Sequence, residues 1–174
     1  FTDPNYGIIS DYVGRKDIQE QPACHVYRID PATGNLAIVA DDFAMPNGLA
    51  FSPDEKQLYV ADSGYLTDRS APHHVRLFDV ENDRLINSRV FADISPGIPD
   101  GLRVDIAGNL WVSAWDGVQA HHPDGTLLGK IRVPEMVANV AFGGPRNNRL
   151  FITATTSVYA VFLNIRGLRY PFGF

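Results

Sequence analysis

The feature that most constrains this chain is internal repetition: the pattern over residues 45–63 returns twice. The first copy holds Pro46-Asn47-Gly48-Leu49-Ala50-Phe51, a turn at Pro53-Asp54, and Gln57-Leu58-Tyr59-Val60-Ala61-Asp62-Ser63. The second runs from Pro99-Asp100-Gly101-Leu102-Arg103-Val104 to Leu110-Trp111-Val112-Ser113, the third from Asn139-Val140-Ala141-Phe142 to Arg149-Leu150-Phe151-Ile152-Thr153. Each copy is a polar residue, an alternating apolar/polar strand, a tight turn and a second alternating strand, which spells a β-hairpin. The copies recur at roughly 40 to 50 residues, the period of β-propeller blades.

A second hairpin follows the first copy, with His74-Val75-Arg76-Leu77-Phe78 and Arg84-Leu85-Ile86 on either side of Glu81-Asn82-Asp83. Two hairpins make one four-stranded blade, so the expectation is an all-β, six-bladed propeller of which this chain supplies roughly the last three and a half blades. The partial blade is 1–42, full blades are 47–91 and 100–134, an incomplete last blade is 139–164, and a tail covers 165–174. A propeller closes its ring to bury sheet faces and edges. The sequence therefore reads as a segment of a longer chain, with an N-terminal half needed to complete the ring.

Composition fits a soluble all-β protein: 45% of the 174 residues are apolar and turn formers are frequent. No apolar run reaches membrane-spanning length. A formal charge of −5 without any Lys/Arg cluster argues against a nucleic-acid partner, which demands a basic stripe. The partner expected instead is a small neutral molecule. Cys24 is the single cysteine, so no internal disulfide or cysteine-rich zinc site can form, and it reads as a small half-buried apolar residue. No leader segment is visible, and cytoplasm and periplasm both stay open.

Asn47 and Asp100 occupy the same place in successive repeats, at the start of a blade's innermost strand, where a propeller faces its central channel. An amide oxygen and a carboxylate converging there are hard ligands suited to Ca²⁺, Mg²⁺ or Mn²⁺, while a carboxylate also takes Zn²⁺. The competing reading is a turn, because Asn-Gly and Asp-Gly are favoured in two-residue hairpin loops with positive φ.

Phe1-Thr2-Asp3-Pro4, Tyr6-Gly7, the Pro46 to Asp54 motif, Pro99-Asp100-Gly101-Leu102-Arg103-Val104-Asp105, Gly108-Asn109-Leu110-Trp111, Leu128-Gly129-Lys130-Ile131-Arg132-Val133-Pro134-Glu135 and Ala141-Phe142-Gly143-Gly144-Pro145 stand in one order. Together they resemble the SMP-30/gluconolactonase/regucalcin family over nearly the whole chain, as its C-terminal half. The resemblance implies a lactonase that opens a gluconolactone-like sugar lactone or related cyclic ester, using one divalent cation, Ca²⁺ ahead of Zn²⁺, Mn²⁺ or Mg²⁺. Carried over by motif, Asn47 is a metal ligand, and Asp100 is both a metal ligand and the catalytic base. The family's remaining glutamate ligand and its substrate-binding Arg and Asn have no counterpart among these residues. The polar segment 8–23 resembles the family's variable loops over the channel.

Tyr6, Tyr65 and Trp115 follow inner-hairpin strands and are candidates for substrate binding, with aromatic packing between blades as the alternative. His73-His74 and His121-His122 cannot readily converge on one ion, since adjacent strand residues point to opposite sides; they read as surface or strand-end histidines. Ser63 lacks the Gly-x-Ser-x-Gly elbow of a serine hydrolase and reads as a strand-end serine. Gly143-Gly144-Pro145-Arg146 lacks the Lys-Ser/Thr of a phosphate loop. Two rival functions fit the same fold: a non-catalytic propeller binding module, and a metal-dependent phosphotriester hydrolase.

Overall fold

The computed structural model describes residues 1–169; the aromatic end of the expected tail, 170–174, lies outside the described residues. The chain forms four antiparallel sheets. The first holds β1 (Thr2–Asp3), β2 (Cys24–Ile29) and β3 (Leu36–Phe43); the second, β4 (Pro46–Phe51), β5 (Gln57–Asp62), β6 (His74–Glu81) and β7 (Arg84–Asp93). The third holds β8 (Leu102–Val104), β9 (Leu110–Ala114), β10 (Gly117–His121) and β11 (Leu127–Arg132); the fourth, β12 (Val137–Gly143), β13 (Arg149–Ala154) and β14 (Val158–Phe162). Strand order follows chain order within every sheet; most connections are short turns, while a longer segment with the helical turn α1 (Tyr6–Ile9) joins β1 to β2 and a loop joins β5 to β6. The β6–β7 turn carries Asn82 and Asp83 at φ 48° and 64°, the left-handed pair that matches strand twist in a tight hairpin.

The core lies between the sheets, and strand alternation explains how. In β5, Tyr59 and Ala61 pack toward the third sheet while Leu58 and Val60 pack toward the first. In β9, Leu110, Val112 and Ala114 face the second sheet and Trp111 faces the fourth. The period-2 geometry of a strand thus buries both faces of the two middle sheets. Leu110 and Val112 are fully buried, and Leu110→Ala carries the usual cavity cost of about 2–5 kcal/mol. The terminal sheets differ: Leu36 in the first is 60% exposed, and Phe162 in the fourth 72%.

β1, β4, β8 and β12 neighbour one another in that order. Leu49 pairs with Val60, Leu102 with Val112 and Val140 with Ile152, which aligns positions 47, 100 and 138 of the three repeats. The same step recurs between sheets, where Gly48 N–H donates to the Asp100 carbonyl at 3.0 Å and Gly101 N–H to the Ala138 carbonyl at 2.8 Å. A Cβ on Gly48 would sit 2.3 Å from the Asp100 carbonyl oxygen, and one on Gly101 2.0 Å from Asn139 Oδ1. Glycine follows Asn47 and Asp100 because the strands approach this closely. The turn reading of Asn47-Gly48 and Asp100-Gly101 is thereby overturned, since none of these residues adopts a positive φ. Asn47 lies inside β4, at its register break between Pro46 and Leu49.

Two side-chain expectations also change. Cys24 is buried to 6% exposure and His121 to 3%. His121 ends β10 but is no surface residue: its ring bonds the Gly125 carbonyl at 3.2 Å and Gln119 Oε1 at 3.1 Å. Among the described residues, no helix is long and apolar enough to cross a membrane.

Candidate functional site

Asn47 anchors a chain of hydrogen bonds that spans two sheets. Its Nδ2 donates to Ser63 Oγ at 3.2 Å and to the Tyr6 hydroxyl at 3.4 Å. Ser63, at the end of β5 and fully buried, donates its own proton to the Pro99 carbonyl. A hydroxyl that spends its proton on a carbonyl can only accept from its neighbour, so the amide must present nitrogen to Ser63. That leaves Asn47 Oδ1 free of these bonds.

Asp100 precedes β8 and is fixed through its backbone, with N–H donating to Ser113 Oγ at 3.1 Å. Ser63 and Ser113 thus perform parallel tasks, one orienting an amide and the other a main chain. The Asp100 carboxylate receives no well-aligned hydrogen bond among the described residues. Burial raises its affinity for a proton, and the adjacent Asn47 amide opposes that shift. The Tyr6 hydroxyl is pushed up to about 12, chiefly by burial, with the Ser63 bond opposing and the Asp100 charge adding to it. Tyr6 is therefore a neutral phenol near pH 7.

Asp62 positions the approach to Asn47. It is 1% exposed and accepts hydrogen bonds from Ala44 N–H at 3.1 Å, Met45 N–H at 2.9 Å and Gly64 N–H at 3.2 Å. The carboxylate thereby holds the segment entering β4 against the end of β5.

The structure brings Tyr6, Asn47 and Asp100 into one electrostatic cluster. Tyr65 and Trp115 form a separate aromatic pair, their ring centres 6.4 Å apart, two residues beyond Ser63 and Ser113. Ala138, at the third aligned position, has no polar side chain. Asn47 offers an amide oxygen free of the Ser63 and Tyr6 bonds, and Asp100 a carboxylate whose neighbouring donor is the Asn47 amide, a donor set that fits a hard divalent cation. Among the described residues no group of three His, Cys, Asp or Glu could hold a metal, so these two would be only part of a coordination shell. Sequence reasoning passed over Ser63 as a strand-end residue; the serine at the end of the second strand in both repeats was its available signal.

Residues 10–156 match the model of the SMP-30/gluconolactonase/LRE-like region. A gluconolactonase of Zymomonas mobilis is 35% identical over 172 residues, covering 92% of this chain and 46% of that protein. A pentonolactonase of Haloferax volcanii is 33% identical over 156 residues, covering 84% and 51%. The solved structure of a gluconolactonase from Xanthomonas campestris superposes with a TM-score of 0.83 at 36% identity, covering 96% of this chain and 52% of that one. The chain spans about half the length of the curated relatives it matches.

Proposed function

Because the chain belongs to the SMP-30/gluconolactonase/LRE-like family, we propose that the full-length protein hydrolyses sugar lactones, with Asn47 and Asp100 at its reactive centre. The observation carrying this reading is the aligned placement of Asn47 and Asp100 on neighbouring sheets, with the Asn47 amide nitrogen pinned by Ser63. Asn47 Oδ1 and the Asp100 carboxylate would hold the divalent cation, Ca²⁺ first among the candidates. When bound, that cation supplies Lewis-acid polarisation of the lactone carbonyl.

Asp100 then serves as base: it takes a proton from the attacking water as the new C–O bond forms, and returns it to the ring oxygen as the ring C–O bond breaks. The product is the open hydroxy acid. Burial raises the carboxylate's affinity for a proton in the cation-free protein, and a bound cation opposes that shift. Tyr6, neutral and accepting from Asn47, retains its own proton to donate to a substrate oxygen. Tyr65 and Trp115 offer an aromatic wall for the sugar's apolar face.

The four sheets are read as blades of a six-bladed ring, with boundaries at 1–42, 47–91, 100–134 and 139–164. The exposed apolar side chains of the two terminal sheets support a further set of sheets, from an N-terminal half, completing that ring.

The test is acid release from D-glucono-1,5-lactone by the full-length protein, corrected for spontaneous hydrolysis, before chelation, after chelation and after return of Ca²⁺, Zn²⁺ or Mn²⁺. Loss and recovery of turnover are expected. Hydrolysis that ignores chelation would overturn the metal-dependent mechanism.

A further inference from the structure

A cation sits in the aromatic pair at the same end of the second and third sheets. The Arg69 guanidinium carbon lies 4.6 Å from the Tyr65 ring centre and 5.3 Å from that of Trp115, the two rings inclined at 52°. Stacking occupies the flat faces of a guanidinium and leaves its in-plane N–H fork unspent. Among the described residues, Arg69 has neither an ion pair nor a hydrogen bond through its side chain. The adjacent Asp68 carboxylate is turned away, accepting from the Ser70 N–H and hydroxyl at 2.8 and 2.7 Å.

The wedge is held in place from both sides. The 63–72 loop closes on itself through Leu66 N–H to Ser63 O, Asp68 N–H to Gly64 O, Ala71 N–H to Asp68 O and Tyr65 N–H to Pro72 O. On the other side Gly97 lies under the Trp115 ring, so close that a Cβ would stand 2.1 Å from its Cγ. Tyr65 and Trp115 each follow by two residues a serine that touches Asn47 or Asp100, at most about 7 Å of chain. Arg69 is thus an exposed cation held by two rings, with no side-chain partner among the described residues, at the sheet ends that also carry Ser63 and Ser113, in a chain whose formal charge is −5.

We propose that Arg69, clamped by Tyr65 and Trp115, seats an anionic substituent of the substrate, so that the site prefers lactones bearing a phosphate, sulfonate or carboxylate away from the reacting carbonyl. The inference rests on the lactonase reading of Asn47 and Asp100. The guanidinium fork matches oxyanions through paired, charge-assisted hydrogen bonds, and the flanking rings fix its position although Arg69 itself is exposed. A neutral sugar leaves that fork with water alone.

The test is calorimetric binding of four product acids to the full-length protein: gluconate, 6-phosphogluconate, 6-deoxy-6-sulfogluconate and glucarate. It is repeated with Arg69→Gln and Arg69→Lys, alongside KM for the matching lactones. At least one doubly functional acid should bind about tenfold or more tightly than gluconate, the weight of one charge-assisted hydrogen bond. Arg69→Gln should erase that preference, Arg69→Lys should restore part of it, and high salt should shrink it. The three acids identify which oxyanion is taken. Equal binding of all four acids, no binding of any, or a preference that survives Arg69→Gln would each overturn the proposal. A charge preference without hydrolysis of any lactone would support the anion seat and sink the lactonase reading alone. Hydrolysis without a charge preference would do the reverse.

Discussion

Asp62 and Asp100 stand at the same end of adjacent sheets and show two uses of a shielded carboxylate. Asp62 is saturated by three backbone N–H groups from the two segments it ties together. Asp100 is tied down through its main chain while its carboxylate lacks a well-aligned donor among the described residues. Asp105, at the far hairpin end of the same sheet as Asp100, follows the Asp62 pattern: it accepts from Ala107 N–H, Asn109 N–H, the Asn109 side-chain amide and Trp111 Nε1. A carboxylate engaged by three or more donors stabilises the fold and has little acceptor capacity left for a ligand. An unsatisfied one costs stability and keeps its oxygens available.

The sharpest way to break this contrast is Asp100→Asn in the full-length protein. Turnover should fall by about 10² to 10⁴, the span of a lost general base, while the unfolding midpoint stays level or rises because a shielded, unpaired charge is gone. A variant that hydrolyses lactone normally with cation bound would end the catalytic assignment. Asp62→Ala should do the opposite and strike stability first, by about 2–4 kcal/mol as backbone donors lose their acceptor. Denaturant unfolding reads this directly, and an unchanged midpoint would erase the distinction between the two aspartates.

Ser63→Ala sharpens the comparison by leaving both carboxylates intact and freeing the Asn47 amide. Cation affinity should weaken about 10- to 100-fold, as when an orienting partner of a ligand is removed, with little loss of fold. Titration calorimetry measures it, and unaltered affinity would show that Asn47 needs no pin.

The smallest effect concerns pH. Burial raises the folded-state pKa of Asp100, so the fold favours its protonated form. Its contribution is fully present below the ordinary carboxylate range and lost as pH rises through the raised folded value. In cation-free protein, the gap in unfolding midpoint between Asp100→Asn and wild type should therefore narrow as pH falls from 7 toward 4. Glu135 has the reverse sign, being held down to about 2 by the Tyr159 hydroxyl first and the Thr156 N–H next. Its stabilisation is present above the ordinary carboxylate range and lost as pH falls toward 2. A gap that widens on acidification would contradict the environment assigned to Asp100.

The hairpins were legible because alternation and turn residues are local signals. Leu58-Tyr59-Val60-Ala61 and Leu110-Trp111-Val112 announce strands, and both became central strands buried on two faces. Asn47 and Asp100 were legible as equivalent positions, but their conformation was not, since Asn-Gly and Asp-Gly serve equally well in a left-handed turn. Only the approach of β8 to β4, and of β12 to β8, explains the glycines. Ser63 and Arg69 were missed for the same reason. The first matters because the Pro99 carbonyl, in the segment leading into β8, fixes its proton, the second because a 63–72 loop and a Gly97-backed tryptophan meet around it.

The sequence by itself determined the strand pattern, the repeat and the residue types available for chemistry, all carried by periodicity and short-range turn preferences. The tertiary structure decided which carboxylate is saturated and which is left open, which way the Asn47 amide faces, and where an unpaired arginine stands. Those properties depend on donors and rings brought together from different sheets, and hydrogen-bond satisfaction is set by such neighbours in space, which no local stretch of chain encodes.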